Sequence, residues 1–215
     1  MKKFLYLLIL CSVAIPSALA ATEQEIVNRS TNIIREFREM PESAIPRGVL
    51  RNARGLAIIT VLKAGFVFSG KGGQGVVVSK TANGWSGPSF VATGGAGWGL
   101  QIGAQVTDFV IVLNTREAVR AFARDGNITL GADASAAAGP VGRNAHAGIT
   151  PTSAIYTYSR SKGLFAGASL EGAVIATQKE RNARYYGRPV RSGEVLNGRI
   201  PPPPGSGRLR AALGR

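Results

Sequence analysis

The chain has 215 residues, enough for one domain with a sizeable core, and its 26 Lys and Arg against 12 Asp and Glu give a formal charge of +14. A single cysteine, Cys11, and a single histidine, His146, exclude a disulfide framework and a thiolate metal site and leave little for His-centred catalysis. The charge either serves solubility alone or favours an anionic partner, whether phospholipid headgroups, nucleic acid or an acidic protein face.

Residues 1–20 read MKKFLYLLILCSVAIPSALA. Two lysines, an apolar run from Phe4 to Ile15, a break at Pro16 and an A-x-A site ending at Ala20 predict a cleaved secretory signal. The run is short of the ~20 residues of a spanning helix. The expected product is exported, periplasmic or secreted, with peripheral membrane association. Lipidation of Cys11 is the alternative, against which the bulky Leu10 before it argues. In that setting membranes and envelope polyanions are favoured over nucleic acid. Sequons at Asn28 and Asn127 matter only in a host that glycosylates exported chains.

Thr22–Met40 carries apolar residues at 26, 27, 33, 34, 37 and 40, the one-sided spacing of an amphipathic helix, with Thr22 and Glu25 as a capping box and Pro41 as its stop. Its stripe either docks on the core or lies on a membrane surface. Arg29, Arg35 and Arg38 mix there with Glu36 and Glu39. From Gly55 the period changes to short runs of β-branched and aromatic residues between glycines: GLAIITV, FVFS, GVVVS, WSGPSFVAT, GLQIGAQV and DFVIVL. These predict short antiparallel strands, with a hairpin turn at Asn83-Gly84. A helix capped at Asn114-Thr115 and ended by Asp125-Gly126 follows, then an Ala/Gly-rich loop, strands in SAIYTYSR and LFAGASLEGAVIAT, and a last helix KERNARYYG stopped by Gly187. The 28 glycines imply bulges and close backbone approach in a strongly curled sheet. The fold class is therefore α+β: a mostly antiparallel, glycine-rich sheet curling towards a barrel, with flanking helices. The segment 199–215, a tetraproline run and a basic tail, is expected to be disordered, or else a ligand for a proline-binding domain.

The stretch GFVFSGKG approaches a phosphate-binding loop: Gly65, Gly70 and Lys71 fit, but Gly72 stands where the magnesium-binding hydroxyl belongs. Gly70, Gly72 and Gly75 also satisfy G-x-G-x-x-G. Both patterns need a following helix, and GVVVS reads as strand. Hydrolysis would have to join His146 to an arbitrary serine without a G-x-S-x-G elbow. The carboxylates Asp108, Asp125 and Asp133 are scattered rather than at ligand spacing. No cofactor, metal or catalytic residue is expected.

The motifs taken together resemble a known family. IPRGVLRNARGLAIITVLKAGFVFSGKGGQGVVVSKTANGWSGPSF, then GWGLQIGAQVTDFVIVLNT, GPVGR, YSRSKGLFAGASLEGAVI and the tyrosine pair before Gly187, in that order, resemble the SYLF domain from about Thr22 to Gly198. The resemblance implies a non-catalytic binding module for phosphoinositides or other anionic membrane lipids, and for actin filaments in fungal and animal members. It places lipid contact in the N-terminal helix with Arg47, Arg51, Arg54 and Lys63; Lys71 and Arg143 of GPVGR are further candidate anion contacts. Arg54 stands where many relatives have lysine, keeping the charge. Glu36 and Glu39 dilute the positive face, and the SH3 domain usual at the C-terminal side has no counterpart in these residues. An anionic-lipid module is the first expectation; an actin-like or envelope protein partner is the alternative.

Overall fold

The structure, a computed structural model, describes residues 21–40, 45–130, 136–138, 153–163 and 173–214, without the side chains of 65–69, 96–103, 136–138 and 162–163. The predicted signal, Arg143 and His146 lie outside the described residues. In chain order the elements are α1 (Glu23–Glu39), α2 (Arg47–Asn52), β1 (Gly55–Thr81), β2 (Gly84–Trp85), β3 (Ser89–Leu113), α3 (Arg116–Ala123), β4 (Asn127–Thr129), β5 (Ala136–Ala138), β6 (Ile155–Gly163), β7 (Val174–Thr177), α4 (Lys179–Tyr186), α5 (Ser192–Leu196) and α6 (Gly207–Leu213). The sheet runs β2-β1-β3-β6-β5, with β7 joining β3 to β4, and among the described residues only β5 and β6 are parallel.

The glycines do not break the strands as expected. β1 continues for 27 residues and β3 for 25. They pair from Gly55↔Leu113 to Phe66↔Ile102, shift register, and resume from Phe68↔Trp98 to Val77↔Ser89. A glycine weakens a strand by roughly 0.5–1 kcal/mol but still brings both backbone groups to the ladder. Fully extended, β1 alone would span on the order of 90 Å. Instead it folds back on itself. Lys80 N donates to Arg54 O at 2.8 Å, joining its end to its beginning. Gly75 packs so tightly on the first half of β1 that any Cβ would overlap the Ile58 carbonyl oxygen. The result is the expected curled antiparallel sheet. The hairpin forms too, but its two-residue loop is Ala82-Asn83, one position before the expected Asn83-Gly84; Gly84, paired with Thr81, has a φ of 92° that suits glycine.

Alternation along the strands sends side chains to two cores. On one face Leu56, Ile58, Val76, Val78, Val110 and Val112 meet Ile26, Ile33, Ile34 and Phe37 of α1. On the other, Ile59, Val77, Phe109, Ile111 and Leu113 meet Phe122 of α3, Ile175 of β7 and Leu196 of α5. Helix α1 begins with the predicted capping box: Thr22 Oγ1 accepts from Glu25 N at 3.2 Å and Glu25 Oε2 from Thr22 N at 2.7 Å. Its stripe is docked on the sheet, with Phe37 1% exposed, so that face is not available to a membrane. Buried side chains of this size each contribute on the order of 1.5–3 kcal/mol before entropy is counted.

The tail expected to be disordered is ordered through Gly214. Ile200 is buried, the proline run leads through a single 3-10 turn at Pro204–Ser206 into α6, and Leu209 of α6 is 0% exposed against α1. Pro202 and Pro203 cross Gly87, where a Cβ would stand 3.3 Å from each and overlap the Tyr186 hydroxyl. The run is a strap rather than a free ligand: its backbone is already restricted, so packing it costs little further entropy. The domain therefore extends past residue 198.

Polar ties hold the helices to the sheet. Asn182 of α4, fully buried, accepts from Phe90 N at 2.7 Å and donates to Ser89 Oγ at 3.3 Å. Arg160 of β6 pairs with Asp108 at 3.0 Å and with Glu36 of α1, while Thr60 Oγ1 donates to Asp108 at 2.8 Å. Glu23 of α1 meets Arg184 at 2.8 Å and Arg181 at 3.3 Å.

Candidate functional site

A cleft of about 660 Å³ opens where α1, α2, the β1–β2 hairpin and α6 meet. Arg35 and Arg38 lie three apart on α1 and Arg47 and Arg51 four apart on α2, spacings that put each pair on one helix face. Lys80 of β1 is the fifth cation, and among the described residues Glu39 is the only acid in the lining. Ile45, Leu50, Trp85 and Leu213 supply apolar surface.

The hairpin register fixes the floor. Lys80 is the cross-strand partner of Trp85, and its Nζ stands 5.8 Å from the ring centroid while donating to Arg51 O at 3.0 Å. Trp85 is 4% exposed and shared with the core. Its carbonyl accepts from Arg210 Nε at 2.8 Å, which anchors α6. Arg38 Nη1 donates to Ala212 O at 2.6 Å, joining α1 to the last turn of the same helix. Among the described residues five cations face one carboxylate, and an anionic ligand relieves their mutual repulsion.

Of the residues expected to contact anions, Arg35, Arg38, Arg47 and Arg51 are brought together here. Arg29, exposed on α1, Arg54, exposed before β1, half-buried Lys63 and exposed Lys71 are not among the lining residues. Lys71 lies across Gly95 of the opposite strand. Lys80 and Trp85 were not singled out as contacts by the sequence, although the Asn83-Gly84 turn placed them near each other. Next to Trp85, Ser79 and Ser86 exchange hydrogen bonds of 2.8 and 3.0 Å that lock the hairpin.

The phosphate-loop pattern falls inside continuous strand β1, with no helix after it. A second cleft, about 450 Å³, lies beside α4 and α5, where Lys179 and Arg191 are offset by Asp125, Glu180 and Glu194. It therefore carries no charge preference for an anion. Among the described residues no three His, Cys, Asp or Glu gather as metal ligands, and no helix is long and apolar enough to cross a membrane.

The tyrosine pair is part of the framework. Tyr185 stacks edge-on to Phe90 at 5.2 Å and to Tyr186 at 5.7 Å, and Tyr186 Oη donates to Pro88 O at 3.1 Å. Burial pushes the Tyr185 phenol up to about 12 and raises Tyr186 further, with Tyr185 adding to the rise at Tyr186.

Comparison with known proteins places the chain in a family. The chain is 49% identical over 168 residues to LAS seventeen-binding protein 3 of Saccharomyces cerevisiae, covering 76% of this chain and 37% of that protein. It is 49% identical over 177 residues to Protein YSC84 of the same yeast, 80% of this chain and 38% of that protein. Against SH3 domain-containing YSC84-like protein 1 of Homo sapiens it is 43% identical over 183 residues, 81% of this chain and 54% of that protein. The chain thus spans between about a third and about half of the length of these relatives. Residues 94–215 match the family model Ysc84, described as Las17-binding protein actin regulator. That match covers more than half of the sequence and takes in the α6 strap, and the chain belongs to the Ysc84, or SYLF, family.

Proposed function

We propose that this chain is a non-catalytic protein-interaction module of the actin-regulator type, engaging an acidic protein face through the basic cleft. The observation that carries this reading is the gathering of five cations around an apolar floor, in a chain whose family is described by actin regulation. Relatives named for binding LAS seventeen support a protein partner. Co-sedimentation with actin filaments at low and high salt tests it. Salt-sensitive pelleting that is lost in the double variant Arg47→Glu, Arg51→Glu is expected; no pelleting at any salt would overturn actin as the partner.

A second reading is contact with anionic lipid headgroups, favoured by the same cations, each worth on the order of 1 kcal/mol near an anionic surface. Because the apolar stripe of α1 is buried, such contact would be electrostatic and without insertion. Anionic and neutral vesicles compared at two salt concentrations test this arm. Export after cleavage near Ala20 belongs to the same proposal and is tested by N-terminal sequencing of the protein recovered outside the cytoplasm.

A further inference from the structure

We infer that the basic cleft takes an acidic linear segment of its partner and seats one apolar side chain of that segment on the cleft floor. This rests on the reading of the cleft as a protein-contact surface and adds what the partner must present. Two features point to a peptide rather than a compact anion.

The cations stand on three separate elements, α1, α2 and β1, and four of them are exposed arginines. Guanidinium groups match carboxylates with paired hydrogen bonds, and cations distributed in this way favour charge spread along a chain. Second, the lining between them is apolar, Leu50, Ile45, Trp85 and Leu213, the anatomy of an interface with a greasy centre and a charged rim. The remaining wall, the last turn of α6, is closed by the Arg38–Ala212 bond and adds Leu213 to that apolar lining. The volume, about 660 Å³, lies within the ~300–1,000 Å³ of ligand clefts.

The test is fluorescence anisotropy with two labelled probes, a plain oligoglutamate peptide and the same peptide with one central leucine. The leucine peptide should bind about tenfold more tightly, equivalent to ~1.4 kcal/mol. Arg47→Glu with Arg51→Glu, both at exposed positions, should remove binding of both peptides while an unchanged thermal melt shows the fold intact. Leu50→Ser should erase only the preference for leucine. Equal affinity for the two peptides overturns the apolar seat. Binding of neither peptide, with actin pelleting retained, overturns this inference and leaves the actin reading standing; loss of pelleting with peptide binding retained does the reverse. Phosphatidylserine vesicles bound in an Arg51-dependent way, with neither peptide bound, would assign the cleft to a membrane surface and overturn the peptide.

Discussion

Where β1 crosses itself, contact depends on absent side chains; around the helical rim it depends on side chains that reach. At Gly75 the backbone touches Ile58 so closely that no Cβ fits, and at Gly73 a Cβ would stand 2.9 Å from Thr60 O. At the rim, Asn182 reaches from α4 to Phe90 N, and Glu23 reaches from α1 to Arg181 and Arg184. The difference teaches where the molecule tolerates change: backbone contacts cannot relax without moving the sheet, whereas a side-chain tie can be loosened alone.

The largest expected effect is Gly75→Ala, which forces the two halves of β1 apart and should cost at least about 3 kcal/mol in urea-induced unfolding. A loss under about 1 kcal/mol would show that the halves spread freely and would break the contrast. Asn182→Ala comes next. It leaves the buried Phe90 N–H without its 2.7 Å acceptor, a penalty of about 1–3 kcal/mol in the same assay. Glu23→Gln is the smallest, about 0.5–1 kcal/mol, and should be weaker at high salt.

Glu23 also sharpens the contrast through pH. Burial pushes its carboxyl up, but its own backbone N–H, Arg184 and Arg181 outweigh that and hold it below the ordinary 4.5. A lowered folded value means the stabilisation is fully present above about pH 4.5 and is lost as pH falls through the folded value. The wild type should lose stability over that acid range more steeply than Glu23→Gln. Parallel acid titrations would count against the ion pairs. Gly75→Ala, which changes no charge, should follow the slope of the wild type.

What the sequence revealed followed the strength of local signals. The α1 capping box, the β1–β2 hairpin, displaced by one residue, the Thr115 cap of α3 and the Gly187 stop of α4 are each set by neighbours within a few residues, and each forms. Glycines in GFVFSGKGGQG read locally as strand breakers, while the ladder with β3, whose partners for this stretch run from Gly103 to Val91, carries β1 through them with one shift of register. Helix α6 is seven residues rich in small and basic side chains, too short to persist alone, and it exists through Leu209, Arg210 and the Arg38–Ala212 bond. Of the cleft, the arginines of α1 and α2 were legible as charge. Lys80, Trp85 and the α6 wall were not, because their role depends on where the ribbon turns and where the chain ends up.

The bond from Arg38 to Ala212 spans 174 positions, and that from Gln24 to Gly205 spans 181. At roughly 5–20 residues per second, a growing chain waits on the order of ten seconds or longer between the appearance of α1 and that of α6. Even non-local β pairing is complete within milliseconds to about seconds, so synthesis rather than folding sets when the cleft closes. Until then its fourth wall is missing and the patch of α1 that receives Leu209 is bare. A fragment ending before residue 207 carries the arginines without the α6 wall, so the proposed recognition would begin only once α6 has been made.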